Sequence, residues 1–409
     1  MLQTQRTKQR PRTAHHRFAA ACLVITALLS TAIAACADHI DDDNNNDAGS
    51  TPPVAANALR NIDITVVYPL PAPDALDDLM RPTTPGRDGA LLTADVFDRG
   101  GVPELDVRAA LATDAARLDA LRVVAVRFDP CAGVVMPPAA PATCQPQIRL
   151  IFQSLLIVDD TTIARDGAVH AFYALSADDF DVVLQELRAV RAAHATDAPV
   201  PLGIHPVLQA EGLSGPYATR LRALITRFCG APHLVRVTHF RRTARDVASW
   251  DFALRERSGD RWSDGVIATT TQTTESLLTI AGGRWDAVAT PTISHADDPT
   301  RVFRVDLSEE ADAFTAVARV LDPRVHSSES IDCASCHIAG DIERFGTAVR
   351  GLPSTPFTST HPLDSAERSE DEAIGFENIH MLSWFGASFS VSPRVANETA
   401  TILEHLDRE

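Results

Sequence analysis

The sequence predicts a mixed α+β domain behind an export leader, followed by a smaller, mainly helical C-terminal unit. Three observations carry that prediction. At 409 residues the chain exceeds the size at which one core keeps growing, so two folded units are expected. Between residues 59 and 305, runs that alternate like strands interleave with runs of helical period, whereas residues 306–409 offer helical segments joined by Pro-, Ser- and Thr-rich chain. The first 35 residues are basic and then apolar, without one acidic side chain.

Composition narrows the chemistry. There are 37 basic against 54 acidic residues, a net charge of −17. The first 35 residues hold five of the basic ones, so the remainder carries −22. Such a surface repels nucleic acid and anionic lipid and favours neutral or basic partners. Lys8 is the sole lysine and lies in the leader. The rest of the chain therefore has no residue for a Schiff base or a P-loop.

Residues 1–35 read as a signal peptide. Arg6, Lys8, Arg10, Arg12 and Arg17 precede an uncharged run of 15 residues, Phe18–Ala32. That length is short for a membrane span and right for a signal-peptide core. The run ends in Ile33-Ala34-Ala35-Cys36. This resembles the lipobox of bacterial lipoproteins, which implies that Cys36 bears the lipid; ordinary cleavage after Ala34, with Cys36 incidental, is the alternative. Ala37 in place of an Asp at the next position implies, by the same resemblance, sorting to the outer membrane. Residues 36–58 follow as a tether, since Asp41–Asp47 and the Gly-Ser-Thr-Pro-Pro after it have no apolar period.

In the domain expected over 59–305, Ile62–Val67 alternates and reads as the first strand. Asp106–Leu121 has helical spacing, and Arg122–Phe128 and Gln147–Phe152 read as strands. Cys131 and Cys144 bracket the Pro- and Ala-rich loop between those strands. In an exported chain that arrangement is most simply a disulfide, worth about 3 kcal/mol by chain entropy. Ala168–Leu175, Ala177–Ala193, Pro201–Leu208, Gly215–Phe228 and Leu234–Phe240 read as β-α-β-α-β, the pattern of a parallel sheet. Trp250–Arg255, Gly265–Thr270, Leu277–Ile280 and Asp286–Pro291 alternate as hairpins. His170, His205, His233 and His239 fall in or beside apolar strands and read as core or edge histidines rather than a metal cluster. Cys229, at a helix end, reads as a buried thiol. No G-x-S-x-G, P-loop, H-E-x-x-H or G-x-G-x-x-G occurs, and no catalytic residue is assigned.

In residues 306–409, Glu309–Leu321 and Pro393–Leu406 have helical period, the latter with Ser392 before a first-turn proline. Between them stands Cys333-Ala334-Ser335-Cys336-His337. Two thiols three residues apart share one face of a helical turn, where each can join a porphyrin vinyl group, and the next histidine can ligate the iron. A thioredoxin-like site would need a preceding strand, and a zinc site would need further cysteine or histidine ligands that the spacing does not offer.

This layout resembles the class I mono-haem cytochromes c, in which C-x-x-C-H comes early and a methionine ligand precedes a C-terminal helix. The region before it loosely resembles the N-terminal parts of uncharacterised bacterial lipoproteins, which carry no assigned activity. The resemblance implies one haem c on Cys333 and Cys336 with His337 as proximal ligand. Met381 is the sole methionine after the motif and takes the distal role, with His380 and His361 as alternatives and a packed core residue as the bland reading of Met381. The expected protein is a lipid-anchored electron carrier of the outer membrane, exchanging single electrons with a redox partner protein of the cell envelope. A haem-dependent oxidoreductase or a redox- or ligand-sensing lipoprotein is the alternative.

Overall fold

A ten-stranded antiparallel sheet frames the molecule. The computed structural model describes residues 58–97, 102, 113–131, 145–194, 200–242, 248–265, 276–281, 284–287, 319–326 and 379–408, with separate residues between 333 and 363. In chain order the strands are β1 (Thr65–Val67), the small ladder β2 (Pro85–Gly86) and β3 (Gly89–Ala90), β4 (Leu121–Asp129), β5 (Gln147–Val158), β6 (Thr161–Ala164), β7 (Gly167–Ala174), β8 (Leu234–Arg242), β9 (Ala248–Ser258), β10 (Arg261–Asp264), β11 (Ser276–Ala281), β12 (Arg284–Ala287), β13 (Leu382–Phe385) and β14 (Ser388–Val391). The helices are α1 (Asn61–Ile64), α2 (Asp114–Asp119), α3 (Ala177–Ala193), α4 (Pro206–Glu211), α5 (Pro216–Phe228) and α6 (Pro393–Leu406). The main sheet runs β1-β4-β5-β7-β8-β9-β11-β12, with β6 paired to β5 and β10 to β9. Among the described residues no helix is long and apolar enough to cross a membrane. The leader, the tether with Cys36, and Cys144 lie outside the described residues, as do residues 103–112 and most of 301–318.

The mixed α+β class holds, but the parallel segment is corrected. β7 and β8 pair antiparallel over Gly167–Tyr173. The expected strand Pro201–Leu208 is absent because Pro206 starts α4 with His205 as its N-cap, and Ile204 makes only a single bridge to Val67. Without a strand between them, α3 and α5 pack on each other and return the chain to the end of β7 it left. β8 must then run back down.

The first strand is also shorter than expected. Asp63 accepts from the Arg60 backbone N–H at 2.8 Å and from its side chain at 3.0 Å, which winds Asn61–Ile64 into α1 before β1 begins. Within the expected helix Asp106–Leu121, Thr113 caps α2 and Leu121 already belongs to β4. α3 and α6 match their predicted spans, each opened by a serine hydroxyl that accepts from the N–H three residues on. A hairpin, β13–β14, stands where only loop was foreseen before α6.

Paired residues of an antiparallel sheet share a face, so the register sorts the side chains. One face carries Leu150, Phe152, Val169, Ala171, Tyr173 and Val237. It is covered through the segment before β4: Tyr173 donates to the Leu91 carbonyl at 2.7 Å, and Arg87 pairs with Asp179 of α3 at 2.9 Å. On the other face, Thr65, Arg127, Arg149, Phe172, Arg236 and Glu256 form one cross-strand row. The next rows are Ile151–His170–Thr238–Leu254 and Ala168–Phe240–Phe252.

The C-terminal segment covers this second face. Arg127 donates to the Val395 carbonyl at 2.7 Å and to Thr399 Oγ1 at 2.8 Å, and pairs with Glu398. Gln153 of β5 clasps Trp384 of β13 twice, accepting from its N–H at 2.7 Å and donating to its carbonyl at 2.8 Å. Residues 54–409 form one compact unit.

Candidate functional site

Where the C-terminal segment crosses the sheet, a cavity of about 90 Å³ is left between them. Arg149, His170, Phe172, Arg236, Thr238 and Leu254 floor it from the second and third rows of the sheet. Cys333, Cys336 and His337, all of helical backbone, line it too. Met381, Leu382, Val395 and Glu398 close the side. Residues distant in sequence thus meet in one place because α6 is pinned to β4 through Arg127.

The His337 ring is held from two directions. Phe240 and Phe252, from the neighbouring sheet row, lie 5.0 and 5.1 Å from it. Its Nδ1–H donates to the Ile379 carbonyl at 2.7 Å, which leaves Nε2 as the nitrogen with a free lone pair. Burial pushes its pKa down to about 4 against the opposing pull of that carbonyl, with His380 adding to the depression, so the ring is neutral at pH 7. A neutral imidazole with its outer N–H on a carbonyl is the state a metal ligand needs.

Two arginines and a carboxylate, Arg149, Arg236 and Glu398, also line the cavity. Arg149 and Arg236 sit 4.5 and 6.0 Å from the centre of the Phe172 ring. Arg236 is paired with Glu256 at 2.6 Å. The Arg149 Nε–H is buried with no hydrogen-bond partner among the described residues. Burial raises the Glu398 carboxyl, but Arg394, Arg127 and Arg149 outweigh it and hold it down at about 2.

The remaining predicted residues are placed differently. Met381 is buried, lines the cavity, and lies two residues beyond the carbonyl that holds His337. His380 is buried with both ring nitrogens engaged: Nε2–H donates to Asp166 at 3.2 Å, and Nδ1 lies 2.6 Å from Ser383 Oγ. His361 binds Asp407 at 2.8 Å and does not line the cavity. Cys131 is disulfide-bonded. Cys229 is a buried thiol whose pKa burial pushes well above its ordinary value, so it is inert at neutral pH.

Three cavity residues went unnoticed in the sequence: His170 passed for a core or edge histidine, and Arg149 and Arg236 passed unremarked. The available signal was alternation, because Arg149, His170 and Arg236 fall at strand positions that share one face. Burial, first, and Arg149, second, keep the His170 ring well below its usual pKa and therefore neutral.

No family model matches the chain, and no curated protein or solved structure matches it either. Among the described residues no three His, Cys, Asp or Glu side chains converge to hold a metal ion alone. In kind, the two thiols and the oriented imidazole match the donors of a covalently attached haem. At about 90 Å³ the cavity is smaller than the roughly 300–1,000 Å³ of ordinary ligand pockets. As it stands, the cavity does not hold a porphyrin macrocycle.

Proposed function

We propose that this chain is a c-type cytochrome: a lipid-anchored carrier of single electrons with one haem c. The observation that carries the proposal is the convergence of Cys333, Cys336 and His337 on one cavity, with His337 Nδ1–H committed to the Ile379 carbonyl. Cys333 and Cys336 would hold the porphyrin through thioethers, and His337 would ligate the iron. When bound, the haem supplies reversible one-electron chemistry at its iron. The chain's own contribution is to hold and shield it. Phe240 and Phe252 keep the His337 ring in place and dry, and Arg149 with Arg236 offers charge to the two carboxylates. Met381 and His170 both line the cavity, and either would serve as a second protein ligand to the iron. A second protein ligand supports electron transfer over the oxidoreductase or sensing alternatives, which need an open position.

The leader and Cys36 support placement of this carrier at the outer membrane, facing a neutral or basic redox partner in the cell envelope. To test the reading, the full chain is expressed with its leader in a bacterium that matures haem c. A haem-staining band that survives denaturation is expected, lost in the Cys333→Ala/Cys336→Ala variant. Membrane association should be lost in Cys36→Ala. Absence of covalent haem in the unaltered chain would overturn the proposal.

A further inference from the structure

We infer that the cavity, as it stands, is a binding site for a small monocarboxylate held by Arg149; this does not rest on the haem reading above. The cross-strand row Thr65–Arg127–Arg149–Phe172–Arg236–Glu256 puts three arginines on one face of the sheet. Among the described residues, carboxylates answer only the outer two. Glu398 pairs with Arg127 and with Arg394 of its own helix, and Glu256 pairs with Arg236 at 2.6 Å. Arg149 is left over. Its Nε–H is buried with no hydrogen-bond partner among the described residues, and Glu398 and Asp129 act on it only by longer-range attraction. Its guanidinium carbon sits over the Phe172 ring, 4.5 Å from the centre, which fixes the fork in place. A desolvated cation without a counter-charge is costly, and an anion in the cavity that Arg149 lines offsets that cost.

Size, shape and charge narrow the class of anion. One water needs about 10–15 Å³ of such space, so a cavity of about 90 Å³ takes roughly six to nine water-sized groups. A short carboxylic acid has that size. Its planar carboxylate matches the guanidinium fork with two parallel N–H···O bonds, and a tetrahedral anion matches it less well. The Thr238 hydroxyl adds a further polar group, while Leu254, Leu382 and Val395 give the cavity an apolar lining suited to a short tail. Arg149 offers one unanswered positive charge, and Glu398, also on the cavity, repels a second negative one. The site therefore selects a monoanion over sulfate or phosphate.

The test is calorimetric titration with sodium butyrate at fixed ionic strength, on the whole chain after the leader, prepared without haem maturation. Saturable one-to-one binding of butyrate is expected, and sodium sulfate should give no saturable heat. Arg149→Gln should weaken butyrate binding by about tenfold or more. The same variant should keep or raise the urea midpoint in butyrate-free buffer, because it removes a buried charge that no carboxylate answers. Leu254→Phe, which keeps Arg149 but fills the cavity, should also lose binding. No butyrate binding by the unaltered chain, undiminished binding in either variant, or sulfate bound as tightly as butyrate would overturn the inference. A lowered midpoint for Arg149→Gln without butyrate would overturn it too, by showing that the fold already answers Arg149. Haem staining of the matured chain tests the earlier reading separately, and neither result decides the other.

Discussion

At the scale of single residues, the molecule spends its polar groups at the contact between sheet and C-terminal helix. Arg127 is fully buried and is satisfied by Thr65, Val395, Thr399 and Glu398 together. Removing one partner of such a set strands the others, which is costlier than the pair's net worth. Glu398 is the most informative probe because its carboxyl, ordinarily near 4.5, is held at about 2 by three arginines. A depressed carboxyl stabilises the fold above its unfolded pKa, and that stability is lost as pH falls through the folded value. Glu398→Gln is thus expected to cost about 2–3 kcal/mol at pH 7. The gap between variant and wild type should close between about pH 4.5 and pH 2, as followed by urea unfolding across that range. A gap that persists unchanged at pH 2 would show that packing, not charge, sets the cost.

At the scale of elements, the β13–β14 hairpin positions the site although it contributes few of its atoms. It leads from Ile379, whose carbonyl sets the His337 tautomer, to Ser392, which caps α6. Its attachment to the sheet is the double clasp of Gln153 on Trp384, supplemented by the Ala164 N–H to the Gly386 carbonyl at 2.8 Å. Gln153 is fully buried, so Gln153→Leu keeps the volume and orphans both main-chain groups of Trp384. The expected cost is about 2–4 kcal/mol, read as a lower denaturant midpoint at constant slope.

At the scale of the whole molecule, residues 379–408 pack as a layer on the sheet. Arg394 donates to the Val320 carbonyl at 2.7 Å and Asn397 to the Leu321 carbonyl at 2.8 Å, so the preceding segment is gathered onto α6 as well. The sheet face beneath would otherwise expose Ile151, Phe240 and Phe252, all buried in the intact chain. One cooperative calorimetric transition is therefore expected for the chain from residue 54 onward, with equal calorimetric and van't Hoff enthalpies. Residues 306–409 expressed alone should give no cooperative melt. Two resolved transitions, or a folded fragment, would mean that the C-terminal segment is an independent domain.

The sequence by itself determined the elements whose signals are local. Ser176 and Ser392 announced α3 and α6, and the alternation in Leu121–Asp129, Gly167–Ala174 and Leu234–Arg242 announced three strands, since caps and side-chain period act within a few residues. It also marked Cys333, Cys336 and His337, which line one cavity. What it could not carry was anything fixed by pairing. The antiparallel order of β7 and β8 depended on a proline starting a helix where a strand was expected. The shared cavity depended on register, because His170 lies 167 positions before His337 and the two line one cavity only once the C-terminal segment is docked on the sheet. A local pattern names the group that reaches into a site; only the tertiary structure decides which distant side chain it finds there.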